Sequence, residues 1–178
     1  LPGGEKAIHE PWRILSGLLD YDSYHESLTW VDKNLRENIF TISGNSNFSP
    51  LTSSAGRLFD AAGALLGFNR KVSYEAEAAI YLEMLALRSD TDNFIDVPLQ
   101  KIDGIYIIDS QYLINEIFAM KKSGATLAAL AKIFHNSLIE ATSKTVYKVC
   151  AESGLNSVLL SGGVFQNRLI LEEKKKKL

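Results

Sequence analysis

The stretch SVLLSGGVFQNRLILEEKKKK, Ser157 to Lys177, decides how the rest of the chain is read. Val158 to Leu160 form an apolar run and read as a short buried strand, two glycines follow, and Val164, Leu169 and Leu171 then recur among polar residues as on a helix. Gly162 and Gly163 can adopt φ > 0 and leave space for a flat or anionic group against the backbone, with the N–H groups of the following helix aimed at it. Asn167, four residues after Gly163, falls on the same helical face and offers one donor group and one acceptor. The bland alternative is a tight strand-to-helix turn with Asn167 on the surface. No Gly-Lys-Ser/Thr follows the pair and no G-x-G-x-x-G is present, so the P-loop and dinucleotide fingerprints are both excluded here.

The 178 residues, 46% hydrophobic and 22% charged, suit one well-buried core or two small lobes of a globular protein. A net charge of -2, with the one basic run at Lys174 to Lys177, gives no electrostatic footprint for nucleic acid. The single cysteine, Cys150, excludes an internal disulfide and fits a reducing compartment, and no apolar run approaches the ~20 residues of a membrane span. A cytoplasmic location with no membrane partner is expected. The chain opens abruptly on LPGG and stops inside a helical pattern without a cap, as a piece of something longer would.

Upstream of the glycine turn the pattern is mostly helical. Pro11 starts a helix carrying Trp12, Leu15, Leu18 and Leu19 to Asp20, and Ser23 to Phe40 reads as a second helix with Leu28, Val31, Leu35 and Ile39 inward. Thr41 to Gly56, rich in Ser, Asn, Gly and Pro, reads as a loop. Helices follow over Arg57–Leu66 and Tyr74–Leu87. Between Asn93 and Asp109, FIDVPLQ and GIYIID read as a small hairpin, with Ile105–Ile108 apolar enough to be covered on both faces. Gln111–Lys121 is helical again, and Leu127, Leu130, Ala131, Phe134, Leu138 and Ala141 mark a long amphipathic helix towards Cys150. The fold class is α/β and helix-rich.

Two acids stand in unusual company. In GRLFDAAGALLG, Leu58, Phe59, Ala62, Leu65 and Leu66 form an apolar stripe, while Gly56, Asp60, Gly63 and Gly67 share the adjacent face. Each glycine inside a helix costs ~1 kcal/mol against alanine, so the strip needs a reason. Either another helix packs closely against it and Asp60 pairs locally, or Asp60 accepts hydrogen bonds from a bound hydroxyl. Glu83 shares a face with Ala76, Ala79, Ile80 and Leu87, and an acid on an apolar stripe needs a partner, whether Arg88, a backbone amide or a ligand. Glu75 and Glu77 lie at the positive N-terminal end of the same helix and need no further reason. His9, His25 and His135 lack ligand spacing and read as structural or surface residues, and Cys150 reads as a small buried hydrophobe. No catalytic residue and no metal site is identified.

Taken together, LPGGEKAIHEPWR, SSAGRLFDAAGALLGF, SYEAEAAIYLE and LSGGVFQNRLILE resemble, in order and spacing, the second half of the Kae1-like domain of HypF-type carbamoyltransferases, over nearly the whole chain. The resemblance implies the second lobe of an actin-like ATPase (ASKHA, Kae1-like) fold, in which two α/β lobes enclose a nucleotide. It makes SGGV the turn that adenine and ribose approach, Asp60 and Glu83 the acids that hold the nucleoside, and Asn167 the asparagine of G-G-V-x-x-N. The ligand it implies is ATP or carbamoyl adenylate. It further implies transfer of a carbamoyl group to the C-terminal cysteine thiolate of the partner HypE, on the way to the cyanide ligand of [NiFe] hydrogenase.

The metal ion that such proteins hold is expected on ligands outside this chain, as are the adenylate-forming domains, so the chain alone is expected to be inactive. Two departures stand out. His9 occupies a position where Arg is usual, and SYEAEAA replaces the more familiar S-Y-E-G-Q-A-A. Two other classes share features with this one: a tRNA threonylcarbamoyl transferase or antibiotic carbamoyltransferase of the same fold, and a non-catalytic interaction domain using the helix Ala125–Cys150 and the loop Thr41–Gly56.

Overall fold

The computed structural model describes residues 1–177; the side chains from residue 173 on, with the basic run Lys174–Lys177, lie outside the described residues, as does Leu178 altogether. The chain opens with a single helical turn, α1 (Lys6–His9), followed by a 3-10 segment over Pro11–Gly17 rather than the α-helix expected to Asp20. Pro11 to Ser16 are all buried, so this stretch is embedded on every side instead of presenting one apolar stripe. It lies against α4 (Ala55–Leu65), whose residues Phe59 to Leu65 are buried as well.

The helix expected over Ser23–Phe40 is two. α2 (Tyr21–Ser27) is capped by Asp20, which accepts from the Ser23 N–H at 2.8 Å, and α3 (Lys33–Ser43) is capped by Asp32, which accepts from the Leu35 N–H at 3.0 Å. Leu28 and Val31 are buried at the break between them. α3 continues to Ser43, three residues into the stretch read as a loop.

α5 (Glu77–Ala86) packs on α4 and on the long α7 (Leu127–Ser153). Between α5 and α6 (Ser110–Lys122) stands an antiparallel hairpin, β1 (Leu99–Ile102) and β2 (Ile105–Ile108), in which Leu99 faces Ile108 and Ile102 faces Ile105. Asp103 and Gly104, with φ of 50° and 82°, are the two positive-φ residues that a type I′ turn requires. Lys121 of α6 donates to the Leu65 carbonyl at 2.7 Å and so caps the C-terminal end of α4. α7 starts on the Thr126 cap and ends at Gly154, whose φ of 72° stops the helix. The last element is α8 (Arg168–Lys177). The core joins these helices through Leu15, Tyr24, Phe59, Leu82, Ile114 and Phe134.

Two strand readings are corrected. Val158 to Leu160 form no strand: Val158 is 44% exposed and Leu159 is 90% exposed. The sheet among the described residues is the β1–β2 hairpin, so this run has no neighbouring strand to complete its backbone hydrogen bonds. Ile105–Ile108 is a strand but is not covered on both faces, since Ile105 and Ile107 are largely exposed and β1 pairs with it on one side. Among the described residues no helix is long and apolar enough to cross a membrane.

Candidate functional site

Two adjoining cavities meet at the ridge formed by Gly163, Val164 and the start of α4. The first, of about 780 Å³, is mainly apolar and runs from β2 past Leu138 and Phe165 to Ser161, Gly162 and Gly163. The second, of about 540 Å³, is the more polar: Arg57, Glu75, Glu83, Gly163 and Asn167 line it together with Ala76, Ala79 and Ile80. Glu83 and Gly163, eighty residues apart in sequence, thus reach one concavity.

The glycine turn differs from the expected one. Gly162 has a φ of 102°, so an L side chain there would be strained. Gly163 is not among the positive-φ residues, and a Cβ built on it meets nothing within 4 Å. Nothing in the chain itself therefore excludes a side chain from Gly163. A four-residue 3-10 turn, Gly163–Gln166, follows in place of an immediate α-helix, and α8 begins only at Arg168. Asn167 is consequently a cap: its Oδ1 accepts from the Ile170 N–H at 3.1 Å.

Glu83 sits on the stripe with Ala76, Ala79, Ile80 and Leu87, but that stripe does not face the core. Ile80 and Leu87 are 43% and 49% exposed, whereas Ala78, Leu82 and Ala86 supply the buried face of α5. Its members Ala76, Ala79, Ile80 and Glu83 are a wall of the concavity. Glu83 Oε1 accepts from the Arg168 N–H at 2.8 Å, which fixes the start of α8 against α5.

Asp60 stands behind the wall. It is 3% exposed, lines neither cavity, and lies 2.9 Å from Arg57 Nη1, which reaches both. Nη1 has no aligned hydrogen bond among the described residues, so the ion pair compensates burial only in part. Burial accordingly pushes the Asp60 carboxyl up to about 6, against the smaller opposing attraction of Arg57. The glycine strip beside Asp60 serves packing at two of its members: a Cβ on Gly63 would stand 2.9 Å from the Ala78 carbonyl oxygen, and one on Gly67 2.9 Å from the Tyr81 hydroxyl. Gly56 alone of the strip lines the concavity.

Three residues were missed by sequence reasoning. Glu75 lines the concavity together with Glu83 and is more than an acid at a helix end. Glu77 is buried and binds the loop before α5, accepting from the Ser73 N–H at 2.7 Å, the Ser73 hydroxyl at 2.9 Å and Arg70 Nη2 at 2.8 Å. These bonds, the Ser73 N–H foremost, hold its carboxyl below the ordinary range. His135 is fully buried and its ring Nε2 is 3.0 Å from Asn167 Nδ2. The available signal was local: S-Y-E-A-E clusters polar groups at the start of a helix, and F-H places an imidazole one position off the α7 apolar stripe.

A family profile described as carbamoyltransferase, Kae1-like domain, second subdomain, matches residues 1–178. The carbamoyltransferase HypF of Rhodobacter capsulatus is 34% identical over 172 residues, covering 94% of this chain and 22% of the relative. The carbamoyltransferase HypF homolog of Cupriavidus necator is 31% identical over 183 residues, covering 96% of this chain and 45% of the relative. Among solved structures, the crystal structure of full-length HypF in the phosphate- and nucleotide-bound form matches with a TM-score of 0.91 at 30% identity, over 99% of this chain and 23% of that one. That of T. kodakarensis HypF matches with a TM-score of 0.78 at 28% identity, over 99% and 24%. The chain spans less than half the length of these relatives.

Proposed function

The chain belongs to the HypF-type carbamoyltransferases, as the second subdomain of their Kae1-like domain, with the helix-rich α/β fold of that domain; from this premise we propose that the concavity beneath Gly163 holds the nucleoside of ATP or of carbamoyl adenylate. The observation that carries the proposal is the open space at Gly163. A glycine without positive φ and without a neighbour within 4 Å lines a polar cavity, where alanine would be free of strain. A ligand passing close to the backbone supplies the reason that the chain does not.

In this reading the sugar hydroxyls lie between Glu75 and Glu83 on the α5 side, and Asn167 offers its remaining N–H and lone pair from the other. Asp60 is proposed as a third acid, whose carboxylate would reach the same sugar once Arg57 turns away. Among the described residues no group of three His, Cys, Asp or Glu converges as metal ligands, so no step of this proposal runs through a metal.

The longer protein is proposed to pass the carbamoyl group to the C-terminal cysteine of HypE. The thiolate attacks the carbamoyl carbon, a C–S bond forms, and the C–O bond to the adenylate breaks with AMP leaving. This chain's part is to bind and orient the nucleoside. Half of a two-walled site is expected to bind ADP with a Kd of roughly micromolar to millimolar. Calorimetry of ADP into the wild type and Gly163→Val tests the assignment, with urea unfolding to show that the variant is folded. Binding should vanish in the variant with its unfolding midpoint kept, and the same wild-type preparation, offered carbamoyl phosphate, ATP and a HypE C-terminal peptide, should carbamoylate no thiol. Unchanged ADP affinity in folded Gly163→Val would mean that the glycines serve the turn alone.

A further inference from the structure

His135 is a buried side chain that touches residues of both walls of the concavity without lining it. From α7 it meets the Phe59 ring of α4 edge to face, centroids 5.3 Å apart, and on another side its Nε2 lies 3.0 Å from Asn167 Nδ2. Its other ring nitrogen, Nδ1, lies 2.7 Å from the Ala131 carbonyl oxygen. A carbonyl can only accept, so Nδ1 carries the proton, and the neutral ring is left with an acceptor at Nε2. Burial favours the same neutral form, lowering the imidazole to about 4.

That tautomer has a consequence for Asn167. An acceptor at Nε2 demands an N–H from the asparagine, and the Ile170 N–H demands its carbonyl oxygen. Both ends of the amide are thereby specified, and a flip would set lone pair against lone pair at His135 and N–H against N–H at Ile170. One Nδ2 hydrogen and one Oδ1 lone pair remain for the concavity. We propose that His135 is a positioning residue for the nucleoside site: it fixes which end of the Asn167 amide the ligand meets. The inference rests on the nucleotide reading for its ligand and on the contacts of His135 with Ala131 and of Asn167 with His135 and Ile170 for its geometry.

The test uses the full chain, isotope-labelled with ¹⁵N, in four forms besides wild type. His135→Gln restores an acceptor near the Nε2 position. His135→Asn keeps a donor for Ala131 and cannot reach Asn167. His135→Leu removes both, and Asn167→Ala assigns the side-chain amide signals by their loss. Solvent exchange of the Asn167 side-chain amide should accelerate at least about tenfold in the Asn and Leu variants and stay near the wild-type rate in His135→Gln, since one buried hydrogen bond corresponds to roughly three- to tenfold in an equilibrium constant and its loss also admits water.

ADP titration should then show about three- to tenfold weaker binding in His135→Asn, recovery in His135→Gln, and no further loss when His135→Asn is added to Asn167→Ala. Exchange unchanged in a folded His135→Asn chain would overturn the positioning role. Losses that multiply in the double variant would also overturn it, because His135 would then act through packing. Should His135→Leu not fold, the Asn and Gln pair decides by the same comparison. If wild type binds no ADP, the nucleotide reading fails while amide exchange still decides the positioning role.

Discussion

Gly63 and Gly163 are a hundred residues apart, and their surroundings could hardly differ more. Gly63 is buried inside α4, where a Cβ would sit 2.9 Å from the Ala78 carbonyl oxygen and 3.3 Å from the Ala78 Cβ. Gly163 is exposed at the start of the 3-10 turn, and a Cβ there would meet nothing within 4 Å. The first glycine answers to the chain's own packing: it lets α4 and α5 approach closely enough that Asp60 and Glu83 stand on neighbouring helices. The second meets no packing demand of the chain's own, and the proposed nucleoside would supply one. A glycine's meaning is thus set by what occupies the space of its missing side chain, and sequence does not display that space.

The sharpest way to break this contrast is to fill both spaces equally. Gly63→Val drives a branched side chain into the backbone of α5, which has nowhere to retreat in a packed core, and overpacking of that kind costs ~1–3 kcal/mol or more. Circular dichroism and urea unfolding should show a chain destabilised by about 1–3 kcal/mol or more. Gly163→Val should move the same midpoint by no more than the ~0.5 kcal/mol of an ordinary surface change. Equal losses at the two positions would erase the distinction.

The next effect concerns what the α4 wall holds. Folded Asp60 titrates near 6 against an ordinary 3.8, so between those values the folded chain keeps a proton that the unfolded chain has lost. Its stabilising contribution is full below pH 3.8 and disappears as pH rises through 6. His135 works in the opposite sense. Lowered from 6.5 to about 4, it leaves the folded chain short of a proton that the unfolded chain binds, so its contribution is full above 6.5 and is lost as pH falls through 4. The two slopes oppose each other between pH 4 and 6. Asp60→Asn removes one of them, and its stability relative to wild type should grow by about 2–3 kcal/mol from pH 4 to pH 7. Urea midpoints at four pH values measure this, and parallel curves for variant and wild type would refute the buried, raised carboxyl.

How much of this could be read in the sequence follows the same division. Helical periodicity located α4 through α7, because a buried stripe repeats at 3.6 residues, and it placed Glu83 correctly on the stripe of Ala76, Ala79 and Ile80. It could not tell that this stripe faces a cavity, since an apolar site wall and a core face share one pattern. The run Val158–Leu160 has strand composition, but a strand also needs a neighbour, and composition says nothing of neighbours. Glu77 looked like an acid suited to a helix start, although it is buried and bound by Arg70 and Ser73. His135 and Asn167 stand 32 residues apart, and only the packing of α7 against α8 makes them a pair.

The smallest effect lies at Ala76, between the acid that lines the concavity and the acid that anchors its loop. Ala76 has φ of 62° and ψ of 14°, the left-handed region, and is the N-cap residue of α5. It stands where the resembling family carries glycine in S-Y-E-G-Q-A-A. An L-residue held there costs roughly 1–2 kcal/mol, and the bonds of the Glu77 carboxylate to Ser73 and Arg70 next to it offset that cost. Ala76→Gly removes the strain and adds some freedom to the unfolded chain, two terms of opposite sign. The balance should favour the variant by about 0.5–1 kcal/mol, read as a higher urea midpoint. Unlike Gly63, whose Cβ has no room, and Gly163, whose Cβ would compete only with the proposed ligand, Ala76 already carries a Cβ that its backbone disfavours. A lower midpoint in Ala76→Gly would show that this methyl packs usefully against the wall, and the position would then join Gly63 on the side of internal packing.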